Sequence, residues 1–261
     1  MRNLLRGETM FLAAEAFRTR LVPSSFRSFF TQDERSLIVS QYGGTRFNGE
    51  TVRLEGIKER DGQLDLLLSP SCYFDLLSTN LLLSATASQW SPEARQLQER
   101  LRNEANIEEL QRKPLRILSN PLLANDLAVS ILLHTPDRHF LLARRSGAVA
   151  LSAGSFSVSA TGALDERDPH AGNPVLSCAC REMEEELGLN VHEGDFAFRG
   201  IFIGSAKLQP IALVDAEVPS FEGIRTNFEV AGLQAVTKEE LRSYTDAPMS
   251  DASRFHISLW T

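Results

Sequence analysis

Apolar and acidic positions between residues 174 and 189 recur in arcs rather than singly. Leu176, Cys180, Met183 and Leu187 follow spacings of 4, 3 and 4, the stripe of an amphipathic helix with one face toward a core. With about 100° between successive residues, Glu182, Glu185 and Glu186 share a second arc of about 100° and Glu184 points away. Asn173-Pro174 predicts the helix start, because Asn caps free amide groups and Pro suits the first helical position.

The rest of the chain alternates strand and helix patterns. Leu127 to Leu133 and Phe140 to Ala143 predict a hairpin around the turn Thr135-Pro136-Asp137-Arg138. Further strands are expected at Ser155 to Ser159, Phe198 to Ile203, Ile211 to Val218 and Val230 to Val236, with a capped helix from Thr237 carrying Glu240 at its box position. Upstream, a helix over 33–41 precedes strands at 51–54 and 64–68. The polar stretch Ser91 to Lys113 predicts one bridging helix with Leu97, Leu101 and Ile107 inward. The fold class is α/β, divided into an N-terminal α/β region over 1–115 and a second unit over 116–261.

Composition narrows the partners. The chain has 261 residues, 43% hydrophobic, and a formal charge of -7, which disfavours broad nucleic-acid binding. An anionic substrate needs local cations, and Arg144 and Arg145 at a strand end are candidates for a bidentate grip on diphosphate oxygens. Cys72, Cys178 and Cys180 lack metal-ligand spacing, and a reducing, cytoplasmic setting is expected. The apolar run Met10 to Ala14 is interrupted by Glu15 and no run reaches membrane-spanning length, so no membrane partner is expected.

Three carboxylates on one helix face repel one another by a few tenths of a kcal/mol per pair, roughly, and a hard cation reverses that sign. Such a cluster suits a divalent metal whose coordination is completed by phosphates. A solvated acidic face is the alternative.

The stretch Arg181-Glu182-Met183-Glu184-Glu185-Glu186-Leu187-Gly188-Leu189 resembles the second half of the Nudix hydrolase signature at every specified position. The first half departs from it: Asn173 stands where the family has Glu, and ten residues rather than five follow the leading Gly162. The loop thus carries an insertion, in which Asp165, Glu166 and Asp168 are candidates to replace the missing carboxylate. The resemblance implies a Nudix α/β/α sandwich with a smaller N-terminal α/β region. It also implies Mg2+ or Mn2+ on Glu182, Glu185 and Glu186, Arg181 as an orienting residue, and the Thr161 carbonyl beside Gly162 as a further ligand. The general base is Glu186 or the later loop residue Glu229, with Glu222 in the same loop.

The run Tyr73 to Asn80 is similar to a segment of a divergent Nudix group that includes a UDP-glucose-hydrolysing protein, as are Phe47-Asn48-Gly49 and Leu141 to Ser146. This implies an N-terminal extension for substrate binding or homodimerisation, with Tyr73 stacking on a base and Asn80 hydrogen-bonding it. The expected activity is metal-dependent cleavage of a nucleoside diphosphate linked to another group, a UDP-sugar first. ADP-ribose, another nucleotide, or a catalytically weak nucleotide-sensing module are the alternatives.

Overall fold

The computed structural model describes residues 9–14, 16–43, 47–60, 63–146, 154–168, 173–228 and 230–261. Its strands are β1 (Thr9–Ala13), β2 (Phe17–Leu21), β3 (Glu50–Arg60), β4 (Gln63–Cys72), β5 (Ala128–His134), β6 (His139–Arg145), β7 (Phe156–Ser157), β8 (Ala160–Ala163), β9 (Phe196–Gly204), β10 (Pro210–Glu217) and β11 (Val230–Thr237). Its α-helices are α1 (Gln32–Ser40), α2 (Tyr73–Ser78), α3 (Asn80–Ser84), α4 (Pro92–Glu104), α5 (Ile107–Arg112), α6 (Pro174–Leu187), α7 (Lys238–Leu241) and α8 (Asp251–Ser258).

The large mixed sheet runs β1-β9-β10-β5-β6-β11, and a small sheet runs β2-β4-β3. Strands β5 and β6 pair only at Leu133 with Leu141 and His134 with Phe140 before they splay, and β8 then takes the edge of β5 while β7 takes that of β6. Ser159 fills the fork. Its hydroxyl accepts from the Leu133 amide at 2.8 Å and donates to the Leu141 carbonyl at 2.5 Å, replacing ladder bonds that the divergence removes.

Helices cover both faces of this sheet. On one face Val129, Ile131 and Leu133 of β5 and Ala212 and Val214 of β10 share a core with Val175, Ala179, Met183 and Leu187 of α6. On the other, Leu132, Phe140, Leu142 and Val236 pack with Leu241 of α7 and Ile257 of α8. Helix α8 is further clamped by Asp215 of β10, which bonds His256 Nε2 at 2.8 Å and accepts from Trp260 Nε1 at 3.2 Å.

Several expectations change. The inward face of α6 is Val175, Cys178, Ala179, Met183 and Leu187, whereas Leu176 and Cys180 sit half-buried on its flanks. The bridging helix is two helices, because Asn106 turns left-handed (φ 52°) and caps α5 with its side chain. The strand expected at 155–159 is the short β7, followed by β8.

Strand β1, unforeseen, pairs antiparallel with β9, so the N-terminal region contributes to the large sheet. The small sheet shares the same core through Val52, Leu54, Leu66 and Leu68. Its strand β3 also exchanges backbone bonds across residue 115: the Val52 amide donates to the Leu164 carbonyl at 3.1 Å, and the Leu127 amide to the Val52 carbonyl at 2.8 Å. Among the described residues no helix is long and apolar enough to cross a membrane.

Between the sheets lies Asp126, fully buried, accepting from Thr51 Oγ1 at 2.5 Å and Ser71 Oγ at 2.7 Å. Burial dominates over those bonds and pushes its pKa up to about 7. Between the ordinary carboxylate range and that value, the folded chain holds a proton that the unfolded chain has released. This residue therefore makes stability fall as pH climbs from about 4 to about 7, with no further loss above. Asp126→Asn should flatten that slope, and urea unfolding at pH 5 and pH 8 should show a larger gain over wild type at pH 8. Leu187→Ala, at a wholly buried site, should cost about 2–5 kcal/mol of stability in the same assay.

Candidate functional site

Helix α6 begins and ends where its caps dictate. Asn173 Oδ1 accepts from the amides of Val175 at 3.2 Å and Leu176 at 3.3 Å, and Gly188 closes the helix in the left-handed region at φ 64°. The residue that departs from the Nudix pattern thus has a structural task of its own. The acidic face is graded in exposure: Glu182 and Glu186 are buried and Glu185 is exposed.

Gly162 of β8 sets the position of Glu182. A Cβ built on Gly162 would lie 1.9 Å from Glu182 Cδ, so the carboxylate occupies the space that any other residue would fill. Arg181 organises the rest. Its Nη1 donates to Glu182 Oε1 at 2.6 Å and to Glu185 Oε2 at 3.5 Å, while Nη2 donates to the Ala163 carbonyl at 3.0 Å and to Asp168 Oδ2 at 3.1 Å.

Asp165 Oδ2 lies 3.4 Å from the Arg181 Nε, a buried nitrogen without a hydrogen-bond acceptor of its own. Burial alone would lower the arginine's pKa, but the negative charges of Glu182 and Asp168 oppose it and keep the guanidinium charged. Of the three candidates for the missing loop carboxylate, Asp165 and Asp168 therefore lie at Arg181. Asp168 is buried and its Oδ2 also accepts from the Asp165 amide at 2.8 Å. Glu166 lies instead beside Glu50, whose hydrogen bond and negative charge push its pKa up.

A cleft opens beside Gly162. Thr161, Gly162 and Ala163 line it, as do Tyr73 and Arg145, but Arg144 and the three glutamates do not. Arg145 Nη1 donates to Thr161 Oγ1 at 3.3 Å, whereas Arg144, the next residue on the strand, is exposed. Tyr73 is set in place by the residues before β3: the Tyr73 amide donates to the Gly49 carbonyl at 2.9 Å and the Phe74 amide to Asn48 Oδ1 at 2.8 Å.

Asn80 does not reach the cleft. It is fully buried, and its Nδ2 donates to Asn125 Oδ1 at 2.9 Å and to the Leu208 carbonyl at 2.6 Å, while its Oδ1 accepts from the Asn125 amide at 2.9 Å. Its expected contact with a base is corrected to a structural one: packing of α3 against the body of the fold uses the amide completely.

Glu229 lies outside the described residues. The preceding loop is tied to the end of α6, with the Arg225 amide donating to the Leu187 carbonyl at 3.0 Å and the Asn227 amide to the Glu186 carbonyl at 3.3 Å. Glu222, in the same loop, is exposed. Sequence reasoning missed Lys207, which also lines the cleft. A single lysine in a loop between two strands carries no local signal.

Among the described residues no three Asp, Glu, His or Cys side chains converge as a metal cage. The glutamates of α6 nevertheless fit a hard cation. They are oxygen donors on one helix face, Gly162 gives Glu182 its place, and magnesium commonly takes only one or two carboxylates and draws its other ligands from phosphates and water.

No protein-family model and no curated protein matches the chain. Among solved structures it is similar to a MutT protein from Methanosarcina mazei, with 20% identity over 52% of this chain and 91% of that one at a TM-score of 0.42. A Nudix hydrolase from Nitrosomonas europaea gives 15% identity over 51% and 86% at 0.39. A bifunctional NMN adenylyltransferase/ADP ribose pyrophosphatase from Francisella tularensis, solved with AMP and a manganese ion, gives 14% over 65% and 48% at 0.40.

The two aspartates make distinct predictions from Glu166. Asp168→Ala leaves part of a half-buried arginine uncompensated and should cost about 1–3 kcal/mol in denaturant unfolding. Glu166→Gln, at an exposed position, should leave the unfolding midpoint indistinguishable from wild type.

Proposed function

We propose that this chain is a metal-dependent hydrolase of the Nudix type that cleaves the diphosphate of a nucleoside diphosphate linked to another group. The observation that carries the reading is the assembly of Arg181 with Glu182, Glu185, Asp165 and Asp168, backed by Gly162, at the edge of a cleft holding Arg145. It supports an active site over a sensing module, since Asp165 and Asp168 supply the acid that Asn173 does not.

Glu182, Glu185 and Glu186 would hold Mg2+ or Mn2+, which when bound supplies Lewis acidity at the diphosphate oxygens and favours ionisation of water. The chain's own groups do the rest. Arg145 grips a phosphoryl oxygen and Tyr73 offers an aromatic face to the base or sugar. Arg181 restrains the carboxylates of Glu182 and Glu185. Glu186 or Glu229 takes the proton of the attacking water as its oxygen bonds to phosphorus and the bridging P–O bond breaks.

For a UDP-sugar the products are UMP and sugar 1-phosphate. This substrate follows from the similarity of the Tyr73 to Asn80 run to the UDP-glucose-hydrolysing group, and Tyr73 at the cleft supports it while the buried Asn80 does not. ADP-ribose and other nucleotides belong in the same test.

The experiment is release of nucleoside monophosphate from UDP-sugars, ADP-ribose, NADH, diadenosine polyphosphates and capped RNA with magnesium, manganese or EDTA. Metal-dependent UMP release is expected. Glu185→Gln or Glu186→Gln should lower turnover at least about a hundredfold with the fold retained. Full activity in both variants would remove the metal assignment, and tight nucleotide binding without turnover would select the sensing module.

A further inference from the structure

The cleft beside Gly162 contains a second cation. Lys207 lies in the loop between β9 and β10 and lines the same cleft as Arg145, together with Ser155, Thr161 and Gln209. In a chain of net charge -7, no carboxylate is among the described residues lining this cleft, so its two charged groups are both positive. An anion bound beside both side chains would be attracted by each.

The position of Lys207 is built by the fold. Leu208 adopts φ 50°, a conformation uncommon for a residue with a Cβ, and its amide donates to the Gly204 carbonyl at 3.0 Å. The buried Asn80 Nδ2 holds the Leu208 carbonyl at 2.6 Å, and the adjacent Gln209 Nε2 donates to the Asp126 carbonyl at 3.3 Å. The two residues that follow Lys207 are thus anchored to other parts of the chain, and the turn itself is closed by the Leu208 to Gly204 bond. Burial first, and the Arg145 charge second, pull the Lys207 pKa down against an opposing effect of Asp251.

We infer that Arg145 and Lys207 together form the anion-binding wall of the cleft and hold the substrate's diphosphate, Arg145 by its planar fork and Lys207 as a point charge. This rests on the reading of the cleft as the substrate site. The chemistry agrees with the surroundings: Thr161 and Ser155 add hydroxyl groups to the same wall, and Gly162 lies between the cleft and Glu182. Lys207 is therefore a substrate-binding residue for the proposed reaction, supplied by the loop between β9 and β10 and not by the helix that carries the glutamates.

The test is calorimetric titration of the full chain with inorganic pyrophosphate in EDTA, so that the reading is independent of metal and turnover. Wild type should bind, Lys207→Gln should weaken binding at least about tenfold, and Lys207→Arg should remain within about threefold of wild type. Arg145→Gln, on a different element, should produce a comparable loss, and unchanged melting temperatures would show that both Gln variants are folded. Affinity in folded Lys207→Gln within twofold of wild type, or no wild-type binding at millimolar pyrophosphate, overturns the inference. If pyrophosphate binding depends on Lys207 but no nucleotide is hydrolysed with metal, the hydrolase reading fails and the anion wall stands. The converse result leaves the hydrolase and removes the wall.

Discussion

The acidic face of α6 depends on one guanidinium. Glutamates crowded at neighbouring helical positions repel one another, and a partly buried arginine is costly unless acids surround it. Arg181 resolves both problems by joining Glu182 and Glu185 of its own helix to Asp165 and Asp168 of the preceding loop, with the Ala163 carbonyl as a neutral partner. The helix and the loop after β8 are therefore held by a shared charge balance. Asn173 is committed to capping, and the loop carboxylates that meet Arg181 are those of Asp165 and Asp168.

The N-terminal region enters the same balance through packing rather than charge. Strand β1 extends the large sheet, β3 hydrogen-bonds the segments around Asn125 and Leu164, and Thr51 bridges Asp165. Asn80 then reaches from α3 to the loop carrying Lys207, and Tyr73 comes from the start of α2. A region that looks like an extension in the sequence thus supplies one wall of the cleft and buttresses another.

Some of this was legible because local chemistry decided it. Asn-Pro at the start of α6, Gly188 at its end and the Thr237/Glu240 box of α7 are satisfied within a few residues, so their sequence signals survive folding. The core stripe of α6 was misplaced because Val175, Ala179 and Met183 keep a helical spacing as regular as that of Leu176, Cys180 and Met183, and only the surrounding strands choose between them. Asn106 broke the bridging helix through a backbone conformation that Asn tolerates but does not announce. Strand β1 escaped notice because its partner lies nearly two hundred residues away, where local periodicity has no reach. The motif likeness points Asn80 at a ligand, and a buried amide looks the same in sequence as a ligand-binding one.

The geometry of β8 makes a broader point about how opposite charges coexist here. Successive strand residues face opposite sides of a sheet, so Thr161 meets Arg145 while Gly162 meets Glu182. Arg145 and Glu182 thereby approach β8 at successive residues. Because residue 162 has no side chain, its backbone both lines the cleft and packs against the Glu182 carboxylate. A larger residue would displace Glu182 and with it one of the acids that balance Arg181. The glycine therefore couples the carboxylate face to the cleft, and its requirement comes from this close approach rather than from any unusual backbone angle.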